Sequence, residues 1–386
     1  MRFVHTSDWH LGRLFHGLHL TDDQAFVLDQ FVDFVADAKP DAVVIAGDVY
    51  DRAVPPPEAV ALLDEVLSRL ALDVGVPVLA IAGNHDSPER LAFGERLLAG
   101  RGVHVVGGLE GWPRPVTVDA RDGRCDFYLL PYSEPARVRA ATGDEDLAGH
   151  DDATAHLVAA ARAARRDDRP AVLVAHAFVA GGEESESERP LAVGGSGAVA
   201  ASSLDGFDYV ALGHLHRPQR VGADTVRYSG SLLKYSFSEA THAKSVTLVE
   251  IGADRAVTHE QIALAPRRDV RVLRGTLSEI LDGDDAGSRD DYVLAELTDR
   301  GALLDPMGRL REVYPNCLHV DRRAFLAEAA AVAGGGERAD PRRRTETEMF
   351  AAFVREVTGD ELTGDESDAF AEIVDAMRAG EREASS

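Results

Sequence analysis

Residues 1–265 predict a layered α/β domain built on mixed sheets, and three observations carry that expectation. Two short runs, Asp41 to Ala46 (DAVVIA) and Val76 to Ala82 (VPVLAIA), are nearly continuous in apolar residues, the pattern of strands buried on both faces. Between them, Pro55-Pro56-Pro57 and the stretch EAVALLDEVLSRLAL give a helix start followed by a 3.6-residue apolar repeat. Further strand-like runs then recur down to about Leu264, which is the alternation of a layered α/β fold.

The elements follow in order. Met1 leads directly into the strand-like Arg2-Phe3-Val4-His5, so no signal peptide is expected. Asp22 to Ala38 reads as the first helix. After Val76 to Ala82, strands are expected at Asp126–Leu130, Ala171–Ala175, Asp208–Leu212, Val226–Ser229 and Ser245–Ile251, with a helix around Ala153 to Arg165. Pro266-Arg267-Arg268 marks a boundary. Residues 266–332 read as a small α/β appendage, with strand-like Val270–Leu273 and Tyr292–Leu297 and helix-like Leu277–Leu281 and Pro306–Tyr314. Gly334-Gly335-Gly336 and Arg342-Arg343-Arg344 mark a flexible linker over 333–344. In 345–386, Met349, Phe350, Phe353, Val354 and Val357 share one helix face, and Phe370, Ile373, Val374 and Met377 share another. This helix pair is too short to make its own core, so it is expected to dock on a partner.

Composition narrows the class. A chain of 386 residues that is 45% hydrophobic has a real core, and no apolar run approaches the length of a membrane span. Cys125 and Cys317 fall in different expected domains, so neither a disulfide framework nor a cysteine metal site is expected, and a cytoplasmic protein is. The net charge of −25 argues against tight unaided binding to nucleic acid. It does not argue against phosphodiester chemistry, because much of the acid lies in Glu183-Glu184-Ser185-Glu186, read here as a solvated loop running to Glu188, and after Gly359.

Five segments carry chemistry: Asp8-Trp9-His10, Gly47-Asp48-Val49-Tyr50-Asp51, Gly83-Asn84-His85-Asp86, the isolated His176, and Gly213-His214-Leu215-His216. Each follows an apolar run, where the loops of α/β sheets build their sites. One such segment alone would be an ordinary solvated loop; five in this order describe a metal site. Oxygen and nitrogen donors of this mix suit Mn(II), Fe or Zn, and a pair of such ions can clamp a phosphate while generating hydroxide. Asp8 and His10 can turn toward one ion, and Asp48, with two carboxylate oxygens, can bridge both. Asn84 offers a neutral oxygen and His176 and His214 offer imidazoles, while Gly47, Gly83 and Gly213 would let backbone pass close to the ions. His214 and His216 flank one residue, so one histidine per metal is expected. Trp9 is expected to pack beneath the site.

These five segments resemble the calcineurin-like metallophosphoesterase superfamily, whose fold is two mixed β-sheets sandwiched together and flanked by helices. Ser7 to Gly12, Gly47 to Asp51, Ser185 to Pro190, Asp305 to Leu310 and Phe353 to Leu362 extend the resemblance, over almost the whole chain, to the bacterial nuclease subunits that work in DNA-break repair with a coiled-coil SMC-type ATPase. The resemblance implies a Mn(II)-dependent 3′→5′ double-strand exonuclease and single-strand endonuclease. It implies one ion on Asp8, His10, Asp48 and His216, and a second on Asp48, Asn84, His176 and His214. His85 would face the scissile phosphate as a catalytic group, with Asp86 orienting its ring, and Asp51 would stand beside it where relatives of the eukaryotic and archaeal type carry a histidine. It further implies a homodimer joined through the phosphoesterase domain, DNA ends, hairpins and single strands as substrates, a DNA-binding role for 266–332, and an ATPase-binding role for residues from about 345. Two other readings compete: a phosphatase or phosphodiesterase acting on small substrates, and a non-enzymatic tether of DNA ends. The appendage and tail weigh against the first, and the complete ligand set against the second.

Overall fold

In the computed structural model the chain forms two compact units, Met1–Arg267 and Arg268–Ser386. The structure describes all residues except 122, 189–196, 284–286, 300–302, 323–345, 359–360 and 385–386. The expected linker at 333–344, and Arg189 and Pro190 of the Ser185–Pro190 motif, lie outside the described residues, as do the side chains of Phe353, Val357 and Met377.

The first unit holds two six-stranded mixed sheets. One runs in the order Val257–Ala263, Ser245–Ile251, Arg2–Thr6, Ala42–Ile45, Val78–Ile81 and Val103–Val106. The other runs Gln219–Val221, Ala223–Tyr228, Tyr209–Gly213, Ala171–His176, Gly123–Leu130 and Val116–Ala120. In each sheet the central strands pair in parallel, which explains why their sequences are apolar throughout, while Ser245–Ile251 in the first sheet runs antiparallel to both of its neighbours. The two-residue period then sorts the side chains. Phe3, Val44 and Leu79 meet Phe127, Leu129, Val172, Val174, Tyr209 and Ala211 between the sheets. The intervening Tyr128, Leu173, Ala175, Val210 and Leu212 pack with Leu157, Val158 and Ala161 of helix His150–Ala164. Sheets stacked in this way bury a core about 10 Å thick.

Helix Thr21–Ala38 buries Gln24, Val27, Leu28, Phe31 and Val35, and the ring of Trp9 packs edge-on against Phe31 at 5.8 Å. Pro57 opens the next helix, which widens into a π-helix at Arg69–Val74 and ends at Gly75. His5 ties the sheets together beside the site, with Nδ1 3.2 Å from the Tyr209 hydroxyl and Nε2 3.1 Å from the Leu212 carbonyl. Burial pushes its pKa down to about 3, so a neutral ring makes this bridge.

Every strand expected in the first unit is present. Five more complete the larger sheets, at Val103–Val106, Val116–Ala120, Gln219–Val221, Val257–Ala263 and, in the second unit, Cys317–Asp321. All five are edge strands, and polar side chains on such strands break the apolar pattern, as VTHEQIA does.

The second unit contains a parallel three-stranded sheet, Val270–Gly275, Tyr292–Leu297 and Cys317–Asp321. Helices Leu277–Asp282 and Pro306–Val313 cover it through Leu277, Ile280, Leu310 and Tyr314. Asp305 begins the latter helix in a left-handed conformation and accepts the Gly308 N–H at 3.0 Å, which gives its Asp-Pro-Met-Gly motif a capping role. Helices Glu346–Thr358 and Gly364–Ala384 follow, and the rings of Phe350 and Phe370 stack on each other at 3.9 Å.

Candidate metal centre

All five chemical segments sit at the C-terminal ends of parallel strands. Thr6 pairs with Ile45, and Gly213 with His176, so the loops leave the two sheets side by side at one rim. The backbone there is unusual. Asp8, His10, Asp48 and His214 all have positive φ, of 53°, 46°, 49° and 112°. Each such residue costs about 1 kcal/mol or more, so the surroundings must hold it in place. They do so with the Asp8 N–H on the Gly47 carbonyl at 3.0 Å, the His10 N–H on the Asp48 carbonyl at 3.0 Å, and the His214 N–H on the Asp8 carboxylate at 3.0 Å. Gln24 fixes the first loop from helix Thr21–Ala38, its amide donating to the carbonyls of Trp9 and His10 at 3.0 and 2.8 Å.

The glycines make room for His176, Asp48 and the loop at Ala46. A Cβ on Gly47, whose φ is +93°, would lie 2.3 Å from His176 Nδ1. One on Gly213 would lie 1.9 Å from the Ala46 carbonyl oxygen. Either substitution would push the two sheet rims apart.

Two fully buried groups of donor atoms converge, Asp8–His10–His216 and Asp48–His176–His214, and a third, partly buried group of His10, Asp51 and His85 adjoins them. His10 Nε2 lies 3.0 Å from His216 Nε2. Oδ2 of Asp48 lies between the groups, 3.7 Å from His10 Nε2 and 3.4 Å from His176 Nε2. The Asn84 side-chain oxygen is 2.9 Å from His176 Nε2 and 3.1 Å from His214 Nδ1, so it joins the second group. The electrostatics match. Burial, against the pull of the nearby imidazoles, pushes Asp8 up to about 6. At Asp48 burial opposes the charge but the His176 imidazole prevails, holding it well below the ordinary carboxylate range. Burial pushes His10 down to about 3, and burial together with His176 holds His214 well below its usual value.

This donor set fits divalent metal. Buried imidazoles and carboxylates face one another, and the Nε2 atoms of His10 and His216 approach to 3.0 Å. His10 Nδ1 is also buried without a hydrogen-bond partner, since the Asp51 carboxylate 3.6 Å away is too far to serve.

His85 stands at the edge of the centre, half-buried, its ring 4.7 Å from that of His10. Its N–H donates to Asp48 Oδ1 at 2.9 Å, and its Nδ1 lies 2.8 Å from the Asp51 carbonyl oxygen. That overturns the ring-orienting role expected of Asp86. The Asp86 carboxylate instead accepts the N–H groups of Val49, Tyr50 and Gly83 at 3.1, 2.9 and 2.9 Å and thereby ties two loops together. Asp51 orients His85 through its carbonyl, while its carboxylate is engaged by Arg13 at 2.9 Å. Trp9 lies wholly beneath the site, its indole N–H on Thr6.

The loop expected to be solvated from Glu183 to Glu188 is not so at its end. Ser187 and Glu188 are buried against His216, together with Glu239 and Lys244. Ser187 and Glu188 fall in the Ser185–Pro190 motif that carries part of the resemblance, although that motif did not show what they hold, whereas Glu239 and Lys244 carried no signal because each is one polar residue among many. Gln24 was findable, as a polar residue on the apolar face of its helix.

A buried set of histidines and carboxylates at the rim of a two-sheet α/β sandwich defines a metal-dependent phosphoesterase. Residues 1–218 match the calcineurin-like phosphoesterase family, and residues 266–358 match the family described as the type 5 capsule protein repressor C-terminal domain, SbcD_C. The chain is 32% identical over 378 residues, 98% of either chain, to the SbcD component of nuclease SbcCD from Staphylococcus saprophyticus. It therefore belongs to the SbcD family of the calcineurin-like phosphoesterases. Among solved structures, a Thermus thermophilus protein covers 67% of this chain and 98% of its own, at 14% identity and a TM-score of 0.38. A dimetal phosphatase from Danio rerio covers 69% of this chain and 99% of its own, at 14% identity and a TM-score of 0.40. Both are too distant to bear on the site.

Proposed function

We propose that this chain is the nuclease subunit of an SbcCD-type DNA-repair complex, a Mn(II)-dependent 3′→5′ exonuclease on double strands and an endonuclease on single strands. The observation that carries the reading is the convergence of two donor groups on Asp48, with His85 at their edge. Asp8, His10, Asp48 and His216 would hold one ion, and Asp48, Asn84, His176 and His214 the other. When bound, such a pair neutralises charge on a phosphodiester and makes water acidic enough to supply the nucleophile at neutral pH. The chain's own groups do the rest. The Asp51 carbonyl takes the Nδ1 hydrogen of His85, leaving Nε2 free to exchange a proton with the leaving 3′ oxygen. Residues 266–332 are proposed to engage DNA and 345–386 an SbcC-like coiled-coil ATPase, in the cytoplasm. Among the described residues no helix is long and apolar enough to cross a membrane.

His85→Ala tests the catalytic assignment. The variant is expected to keep both ions, as counted by metal analysis, while cleavage of duplex DNA with Mn(II) falls by about 10²–10⁴-fold. Undiminished cleavage would remove His85 from the mechanism, and cleavage of small phosphodiesters without any of DNA would sink the nuclease reading.

The homodimer is proposed to use the apolar face around helices Pro57–Ser68, Pro88–Leu91 and Glu95–Ala99. There Phe93 and Leu97 are 83% and 82% exposed and Leu72 is 61% exposed. Two chains each of net charge −25 repel, so their association needs apolar burial of this kind. Phe93→Glu is expected to shift sedimentation from dimer to monomer, and a dimer unchanged by it would place the contact elsewhere.

A further inference from the structure

We infer that Glu239 is a positioning residue for the Asp8–His10–His216 metal position, fixing the tautomer of His216 and thereby setting the affinity of this position separately from that of the other. The inference rests on the metal-centre reading above and adds to it a residue that touches no ion.

His216 is held at every polar atom. Its N–H donates to Glu188 Oε1 at 2.8 Å, and its carbonyl accepts from Lys244 Nζ at 2.7 Å. Its Nδ1 faces Ser187 Oγ at 2.6 Å and Glu239 Oε1 at 3.2 Å. Ser187 directs its own hydroxyl hydrogen at the same Glu239 oxygen. Nδ1 therefore meets acceptors only and must carry the hydrogen. The lone pair is left on Nε2, which is the nitrogen that faces His10. A neutral imidazole binds metal through one nitrogen while the hydrogen bond made by the other fixes its tautomer and raises its basicity.

The two groups differ in this respect. His176 Nδ1 is held by a peptide carbonyl, that of Ala46, at 2.9 Å. His216 is held by a carboxylate with no solvent exposure. That carboxylate stays charged where it is because Lys244, itself buried, donates to its other oxygen at 2.5 Å, with the Tyr235 N–H adding a bond at 3.3 Å. An ionised partner strengthens an imidazole ligand more than a neutral carbonyl does. The Glu239–Lys244 pair should thus act on one metal position and leave the other alone.

The test compares wild type with Glu239→Gln and with the double variant Glu239→Gln, Lys244→Gln. The double variant replaces the ion pair by two amides that can still bond each other and the His216 carbonyl. The full-length chains, freed of metal, are titrated with Mn(II) by equilibrium dialysis and with Co(II) by visible absorption, and their metal-free melting is followed by circular dichroism. Wild type is expected to take up two ions. In both variants one ion is expected to weaken by about 10–100-fold and the other by no more than about threefold, with melting of the double variant close to wild type. Equal weakening of both ions, unchanged affinities, or a double variant unfolded without metal would each overturn the inference. Wild type that fails to take up two ions would overturn the metal-centre reading itself and this inference with it.

Discussion

Replacing Asp48 by alanine is expected to abolish two-ion occupancy and to lower phosphodiester hydrolysis by about 10³-fold or more. The Asp48 carboxylate reaches both of the buried donor groups. Oδ2 lies within 3.7 Å of a ring nitrogen from each donor group, and Oδ1 accepts the N–H of His85. The substitution therefore removes a shared ligand and loosens the loop that carries the proposed acid–base group. His216→Ala should be milder toward metal, because the Asp48–His176–His214 group remains complete and one ion stays partly bound. The loss should not come from unfolding. The substitution leaves the His85 N–H unpaired and His176 without its carboxylate, at about 1–3 kcal/mol each, but the core packing between the sheets that define the rim is untouched. Elemental analysis with a melting curve decides the matter: two tightly held ions in a folded Asp48→Ala protein would contradict the assignment.

A chain ending at Gly336 is expected to hydrolyse a small phosphodiester within about twofold of the full-length protein and to lose ATP-stimulated cleavage of duplex DNA entirely. The centre lies wholly within Met1–Arg267, so the chemistry should survive. The two C-terminal helices would be missing. Their structure refines the expected docking surface, for Phe350 and Phe370 stack on each other and hold the helices together. Met349 and Ile373, 48% and 58% exposed, are left to meet a partner. Met349→Glu with Ile373→Glu should therefore reproduce the truncation without shortening the chain. The charge of −25 sharpens the contrast, because without its ATPase the protein should bind duplex weakly and with steep salt dependence. Undiminished affinity of the shortened chain for the ATPase, or full ATP-stimulated cleavage, would end the docking assignment.

The sequence alone was enough for a layered α/β domain and the location of its chemistry, and the reason is local, while the two-sheet sandwich came with the family resemblance. Parallel strands such as AVVI and VLAI are buried on both faces and so declare themselves by composition, and the segments at their ends hold the histidines and carboxylates in plain view. Edge strands were missed because only part of their surface needs to be apolar. What the tertiary structure decided is how the residues divide into groups and what stands behind them. Spacing could not show that Asp86 spends its carboxylate on three backbone N–H groups while the Asp51 carbonyl holds His85. Nor could it show that Ser187, Glu188, Glu239 and Lys244 close around His216, since they come from different loops of the chain. The proposed ligands are written in short motifs because each sits at a strand end. The groups that orient them come from whichever segments the packing of two sheets brings to the same rim, and no local pattern records that meeting.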